Sequence, residues 1–169
     1  MIEMQIMGVA LDTRNSSPIV VLSDKENRRA LPIWIGTAEA SAIIRIMENI
    51  VTERPMTHDI ICNIIETLGY KVSKIEINDV SSGTYFANIH LKSEEGKSFI
   101  IDARPSDSIA IALKTKCSIY VTPNVIADGT VSTDHERDEQ EAEEFRKFVR
   151  DLKPSDFKSI LDNGEESNQ

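Results

Sequence analysis

Two segments of the chain repeat one another, Arg54-Pro55-Met56-Thr57-His58-Asp59 and Arg104-Pro105-Ser106-Asp107. Each sets Arg-Pro ahead of a hydroxyl residue and an Asp, directly before a run rich in Ile with Ala or Leu. A guanidinium fork can grip a phosphate through two parallel hydrogen bonds. Carboxylates can hold a divalent cation on oxygen ligands, and the free N–H groups of a helix start also favour phosphate. His58 is the only histidine in such a cluster, and could serve as general base, leaving-group acid or metal ligand. Asp102 stands two residues before Arg104 at a strand end, so both side chains can leave one face, and Asp107 can return to that neighbourhood. Glu39 is a further acid at a helix entrance, two residues after the Thr37 expected to cap it.

The same groups can be purely structural. An acid in a first helical turn is stabilised by the helix dipole by about 0.3–1 kcal/mol. Arg54 and Arg104 can pair with those acids, Asp102, Arg104 and Asp107 can form an ion-pair lattice, and His58 can bond a loop carbonyl. The chain has no Gly-rich phosphate loop, no serine nucleophile elbow and no Cys-His zinc spacing.

The elements that must position these residues read from hydrophobic period. Met4 to Val9, Ile19 to Leu22 and Leu31 to Ile35 are strands joined by the polar turns Arg14–Pro18 and Asp24–Asn27, an antiparallel meander. Ile43, Ile46, Met47 and Ile50 recur at helical spacing after a cap at Thr37. A second helix starts near Thr57, carries Ile60, Ile61, Ile64, Ile65 and Leu68, and ends at Gly69. Val72 to Ile77, Tyr85 to Leu91 and a buried Phe99-Ile100-Ile101 are strands. A deeply buried helix follows from Ile109 to Leu113, and a short last strand, Ile119 to Val121, is closed by Pro123. The expected fold is α+β, a mixed and largely antiparallel sheet with packed helices, in the order three strands, two helices, three strands, a helix and a strand.

Charge divides the chain. From Asp128 onward there are 13 acids and 6 bases, against 15 and 13 before it. A body this close to neutral lacks the broad basic face of a tight nucleic-acid binder. We expect a domain over residues 1–127, an acidic linker over 128–144, two amphipathic helices over 145–162 that need a surface to bury against, and a disordered end over 163–169. No apolar stretch is long enough to cross a bilayer, and the N-terminus lacks the pattern of a signal peptide. Cys62 and Cys117, without CxxC spacing, read as buried thiols of a cytoplasmic protein.

Asp102-Ala103-Arg104-Pro105-Ser106-Asp107-Ser108-Ile109-Ala110, the Arg54–Asp59 segment, and Leu31-Pro32-Ile33-Trp34-Ile35-Gly36 followed by Glu39-Ala40 together resemble the bifunctional nuclease family, over about residues 1 to 130. The resemblance implies a self-associating α+β domain, a dimer or trimer, that cleaves both RNA and DNA. It draws attention to the seven motif residues without assigning their roles. The expectation is a nuclease of low sequence specificity assisted by Mg²⁺ or Mn²⁺. Glu39, Asp59, Asp102 and Asp107 would be its metal ligands, His58 and Asp59 would act in catalysis, and Arg54 and Arg104 would bind and stabilise the phosphate. The alternative is a non-catalytic oligomeric binding or regulatory module whose Arg-Pro motifs are structural. The few aromatic residues of the body, which offer little stacking surface, favour it.

Overall fold

The computed structural model describes residues 1–132 and Lys147. The order is β1 (Ile2–Asp12), β2 (Ser17–Asp24), β3 (Arg29–Trp34), α1 (Thr37–Met47), α2 (Thr57–Thr67), β4 (Tyr70–Ser81), β5 (Thr84–Ser93), β6 (Ser98–Ala103), α3 (Pro105–Thr115), β7 (Ser118–Val121), α4 (Pro123–Gly129) and β8 (Val131–Ser132). One eight-stranded sheet runs β6-β5-β4-β7-β1-β2-β3-β8. Every neighbouring pair is antiparallel except β4 and β7, which pair in parallel from Lys74↔Ser118 to Ile77↔Val121. The fold is the α+β class the sequence implies, and the meander of the first three strands is present.

The core lies between the sheet and the helices. Leu22, Leu31, Ile43, Ile75, Ile77, Ile109 and Ile111 are all buried to 1% exposure or less. Aliphatic β-branched side chains pack well on a pleated surface, and this is why the strands supply so much of that core. α3 is buried from Pro105 and Ser106 through Ala112 apart from Asp107, as its apolar circumference predicts. Its Pro105 stands at the first helical position, where a missing N–H removes nothing. Asp12 closes the β1–β2 turn: it accepts bonds from Arg14 Nε and Nη2, both at 3.0 Å, and from Trp34 Nε1 at 3.3 Å. The Arg14 guanidinium foremost brings its carboxyl down to about 2.

Four sequence expectations are corrected. Phe99-Ile100-Ile101 is not a buried strand but the outer edge of the sheet, with the three residues 56%, 63% and 45% exposed. A continuous apolar run has no period that separates edge from centre. Ile60, Ile64 and Leu68 face outward, whereas α2 buries Cys62 and Ile65 against the core. The chain continues past Pro123 into α4, which includes Asp128, and into β8 on the edge of β3, so the linker expected from residue 128 begins inside folded structure. The caps of α1 and α2 are Gly36 and Met56 rather than Thr37 and Thr57, each the first helical residue, and Arg104 caps α3. The amphipathic helices expected over 145–162 and the chain end lie outside the described residues, save Lys147.

Candidate active site

With those caps, Glu39, Asp59 and Asp107 each occupy the third residue of their own helix. An acid there can reach back to the cap N–H, and Asp59 does so: its Oδ2 accepts the Met56 N–H at 2.8 Å. The other two turn to a shared arginine. Arg104 donates from Nε to Asp107 at 2.7 Å and from Nη2 at 3.2 Å, while its Nη1 lies 2.8 Å from Glu39 Oε1. This pins the start of α3 to the start of α1. Asp107 foremost, with Glu39, raises the Arg104 pKa still further. Gly36 leaves the space that Glu39 uses, since a Cβ there would collide with the Glu39 carboxylate.

The second cluster lies at the other end of α3. Asp59 Oδ1 is 2.6 Å from Lys114 Nζ and 3.7 Å from His58 Nε2. The Lys114 ammonium, more than any other group, holds Asp59 below the usual carboxylate range against the opposing effect of burial. Lys114 is seven residues beyond Asp107, about 10 Å along a helix axis. The two Arg-Pro openings therefore do not face one another within a chain.

Asp102 is in neither cluster. It pairs across β5 with Asn88, on the sheet face turned away from Ile89 and the core, and is exposed. Arg104 has already left the strand to cap α3, so the face-sharing expected of the two is lost. Arg54 is exposed on the loop before α2, where its carbonyl accepts the Thr52 hydroxyl. Among the described residues no three His, Cys, Asp or Glu side chains stand together as a metal site requires. The expected set of Glu39, Asp59, Asp102 and Asp107 is dispersed: two acids engage Arg104, one engages Lys114, and one lies on the far face of β6. As a single-chain cage for Mg²⁺ or Mn²⁺ these residues do not fit.

What the chain does build is a cleft of about 520 Å³ over the start of α2, lined by Arg45, Asn49, His58, Asp59, Lys114 and Lys116 among others. The loop from Asn49 to Met56 forms its rim. Asn49 and Lys116 both hold left-handed backbone, with φ of 55° and 57°. Each stands just past the last turn of a helix, α1 and α3, where left-handed backbone is a common ending. Arg45, Lys114 and Lys116 escape sequence reasoning. Lys114 reads as an ordinary partner for its own helix dipole, and nothing local shows that it meets α2.

The model of the bifunctional nuclease domain matches residues 20–134. An uncharacterized protein of Mycobacterium tuberculosis (strain ATCC 25618 / H37Rv) is 34% identical over 165 residues, covering 93% of this chain and 98% of that protein. Bifunctional nuclease 1 of Oryza sativa subsp. japonica is 26% identical over 120 residues, 68% of this chain and 36% of that protein. Bifunctional nuclease 2 of Arabidopsis thaliana is 28% identical over 107 residues, 62% of this chain and 32% of that protein. This chain belongs to the bifunctional nuclease domain family. It spans about a third of the plant relatives that carry the nuclease name.

Proposed function

We propose that the protein is a nuclease of low sequence specificity acting on RNA and DNA, and that the cleft over the start of α2 is where the phosphodiester binds. One observation carries this reading: His58 and three cations, Arg45, Lys114 and Lys116, line one open cleft at a helix N-terminus. Cations and helix N–H groups stabilise the extra charge of the pentacoordinate transition state. DNA lacks a 2′-hydroxyl, so one mechanism for both polymers needs a nucleophile from outside the substrate, and here that nucleophile is water. His58 lines the cleft and would take that proton as general base. Asp59 holds the start of α2 and positions Lys114. Arg54 sits on the same loop and serves incoming phosphate from outside the cleft. Glu39, Arg104 and Asp107 fasten α1 to α3 and take no part.

The assay is cleavage of single-stranded RNA and DNA by purified protein, with His58→Ala and Lys116→Ala expected to abolish it at unchanged unfolding midpoint. Equal rates in wild type and both variants would identify a contaminant and end the proposal. A second reading, a non-catalytic oligomeric module, is favoured by a specific observation. Asp59, Glu39 and Asp107 are all engaged by basic side chains. No cleavage, with no thermal shift on adding Mg²⁺ or Mn²⁺, would decide for it.

A further inference from the structure

α2 carries two apolar stripes, and the described fold covers one of them. Cys62 and Ile65 turn into the core, while Ile60, Ile64 and Leu68, four residues apart, stand 47%, 53% and 68% exposed on another side. Residues at that spacing form one ridge of a helix, the surface against which a second helix packs. With Asn63 and Thr67 they line a shallow groove of about 230 Å³. The groove runs beside the cleft at the start of α2 and shares Asn63 with it. A continuous apolar surface of this kind marks a docking place.

We propose that its occupant is this chain's own segment from Phe145 to Leu152, bound as a helix along Ile60, Ile64 and Leu68 and parallel to α2. Four observations select it. First, the patterns match. Phe145, Phe148, Val149 and Leu152 recur at helical spacing, and Lys147, the one described residue of the segment, is helical, exposed and off that stripe. Set parallel, Phe145 falls level with Ile60, Phe148 and Val149 with Ile64, and Leu152 with Leu68. Second, the segment reaches. The folded body ends at Ser132 in β8, and α2 packs over β4, five strand spacings across the sheet, about 24 Å at ~4.8 Å each. Residues 133–144 lie between, and twelve residues extend to about 40 Å at ~3.3 Å each. Third, charge sets the direction. Seven acids and one arginine fill 134–144, directly before the stripe. The cleft at the start of α2 presents Arg45, Lys114 and Lys116, and Asp59 there is already engaged by Lys114. Parallel packing brings the acids toward those cations, whereas the reverse would bring them toward Glu66 at the other end. Fourth, the remaining exposed apolar run, Phe99-Ile100-Ile101, does not suit a helix. Successive strand residues face opposite sides, so one helical stripe cannot cover all three. The docking does not depend on the protein being a nuclease.

The test is hydrogen exchange of the full chain at several protein concentrations, alongside Ile64→Glu and Phe148→Glu. An isolated helix this short is marginal in water, so it gives its amides little protection. Docked, the amides of 145–152 should exchange about 10-fold or more slowly than in an unfolded chain, and either variant should abolish that difference. Glutamate is a better helix former than isoleucine or phenylalanine, and Ile64 is half exposed, so both variants should stay folded. Position is read by a disulfide. Leu68→Cys combined with Leu152→Cys should link within one chain under mild oxidation, whereas Ile60→Cys combined with Leu152→Cys should not. Peptide mapping separates this link from one to the native Cys62 or Cys117. Fast exchange over 145–152 in the wild type would overturn the proposal. So would protection that survives Ile64→Glu, protection that appears only as concentration rises, or a link formed only between chains.

Discussion

Lys116 offers the sharpest test of the cleft. It caps α3 in left-handed conformation, φ 57° and ψ 32°, a position where glycine is the residue most often found. Left-handed backbone costs an L-residue roughly 1–2 kcal/mol. Glycine relieves that strain but brings extra freedom to the unfolded chain, an opposing effect of about 0.4–1 kcal/mol. The Lys116 side chain is exposed and makes no ion pair among the described residues, so its removal subtracts little. Lys116→Gly should therefore stabilise the protein by about 0.5–1 kcal/mol, while Lys116→Ala, which keeps the strain, should leave stability nearly unchanged. Urea unfolding reads both, with the slope unaltered. If the strain is held for function, the more stable Lys116→Gly should bind an oligonucleotide less well, and its salt dependence should fall by about one phosphate contact. A glycine variant less stable than wild type would refute the strain argument. One that is more stable and binds as before would remove Lys116 from the site.

Three further outcomes follow from the ion pairs. Lys114→Met leaves a mostly buried Asp59 without its cation, and should cost about 1–3 kcal/mol at pH 7, between exposed and buried pairs. Because Asp59 is depressed in the fold, that loss should shrink as pH falls below about 3.9, which urea unfolding at two pH values would show. Asp12, at about 2 in the fold, contributes stability that is full above about 3.9 and lost as pH falls toward 2. Asp12→Asn should accordingly flatten acid unfolding in that window. Arg104→Met breaks two exposed ion pairs, each worth roughly 0.2–1 kcal/mol, and calorimetry should show only a small drop in midpoint.

Much of the fold was legible because local chemistry and burial agree there. Ile43 and the run from Ile109 declared buried helices, and the Asp24–Asn27 turn declared a hairpin. Where the two part, the sequence was silent. Phe99-Ile100-Ile101 reads the same at the centre of a sheet as at its edge, and Ile60, Ile64 and Leu68 read as core until the packing of α2 on one side is known. The site follows the same rule. That Glu39, Asp59 and Asp107 open helices is local and visible. That Asp59 meets Lys114, and Glu39 meets Arg104, depends on how α1 and α2 lie against α3, which no spacing encodes.

The position of β7 has a consequence for how the chain acquires its shape. This four-residue strand alone joins β1 to β4, the first three strands to the next three. Until Ser118–Val121 is made, a growing chain can hold two hairpin-built half-sheets but cannot seal them together, and the inner edges of both stay open. Closure of such distant segments is slow, because loop entropy must be spent before the pairing rewards it. The chain emerging from the ribosome thus carries two unfinished edges until its last third appears, and substitutions in β7 should show themselves first in folding yield rather than in the activity of molecules that have folded.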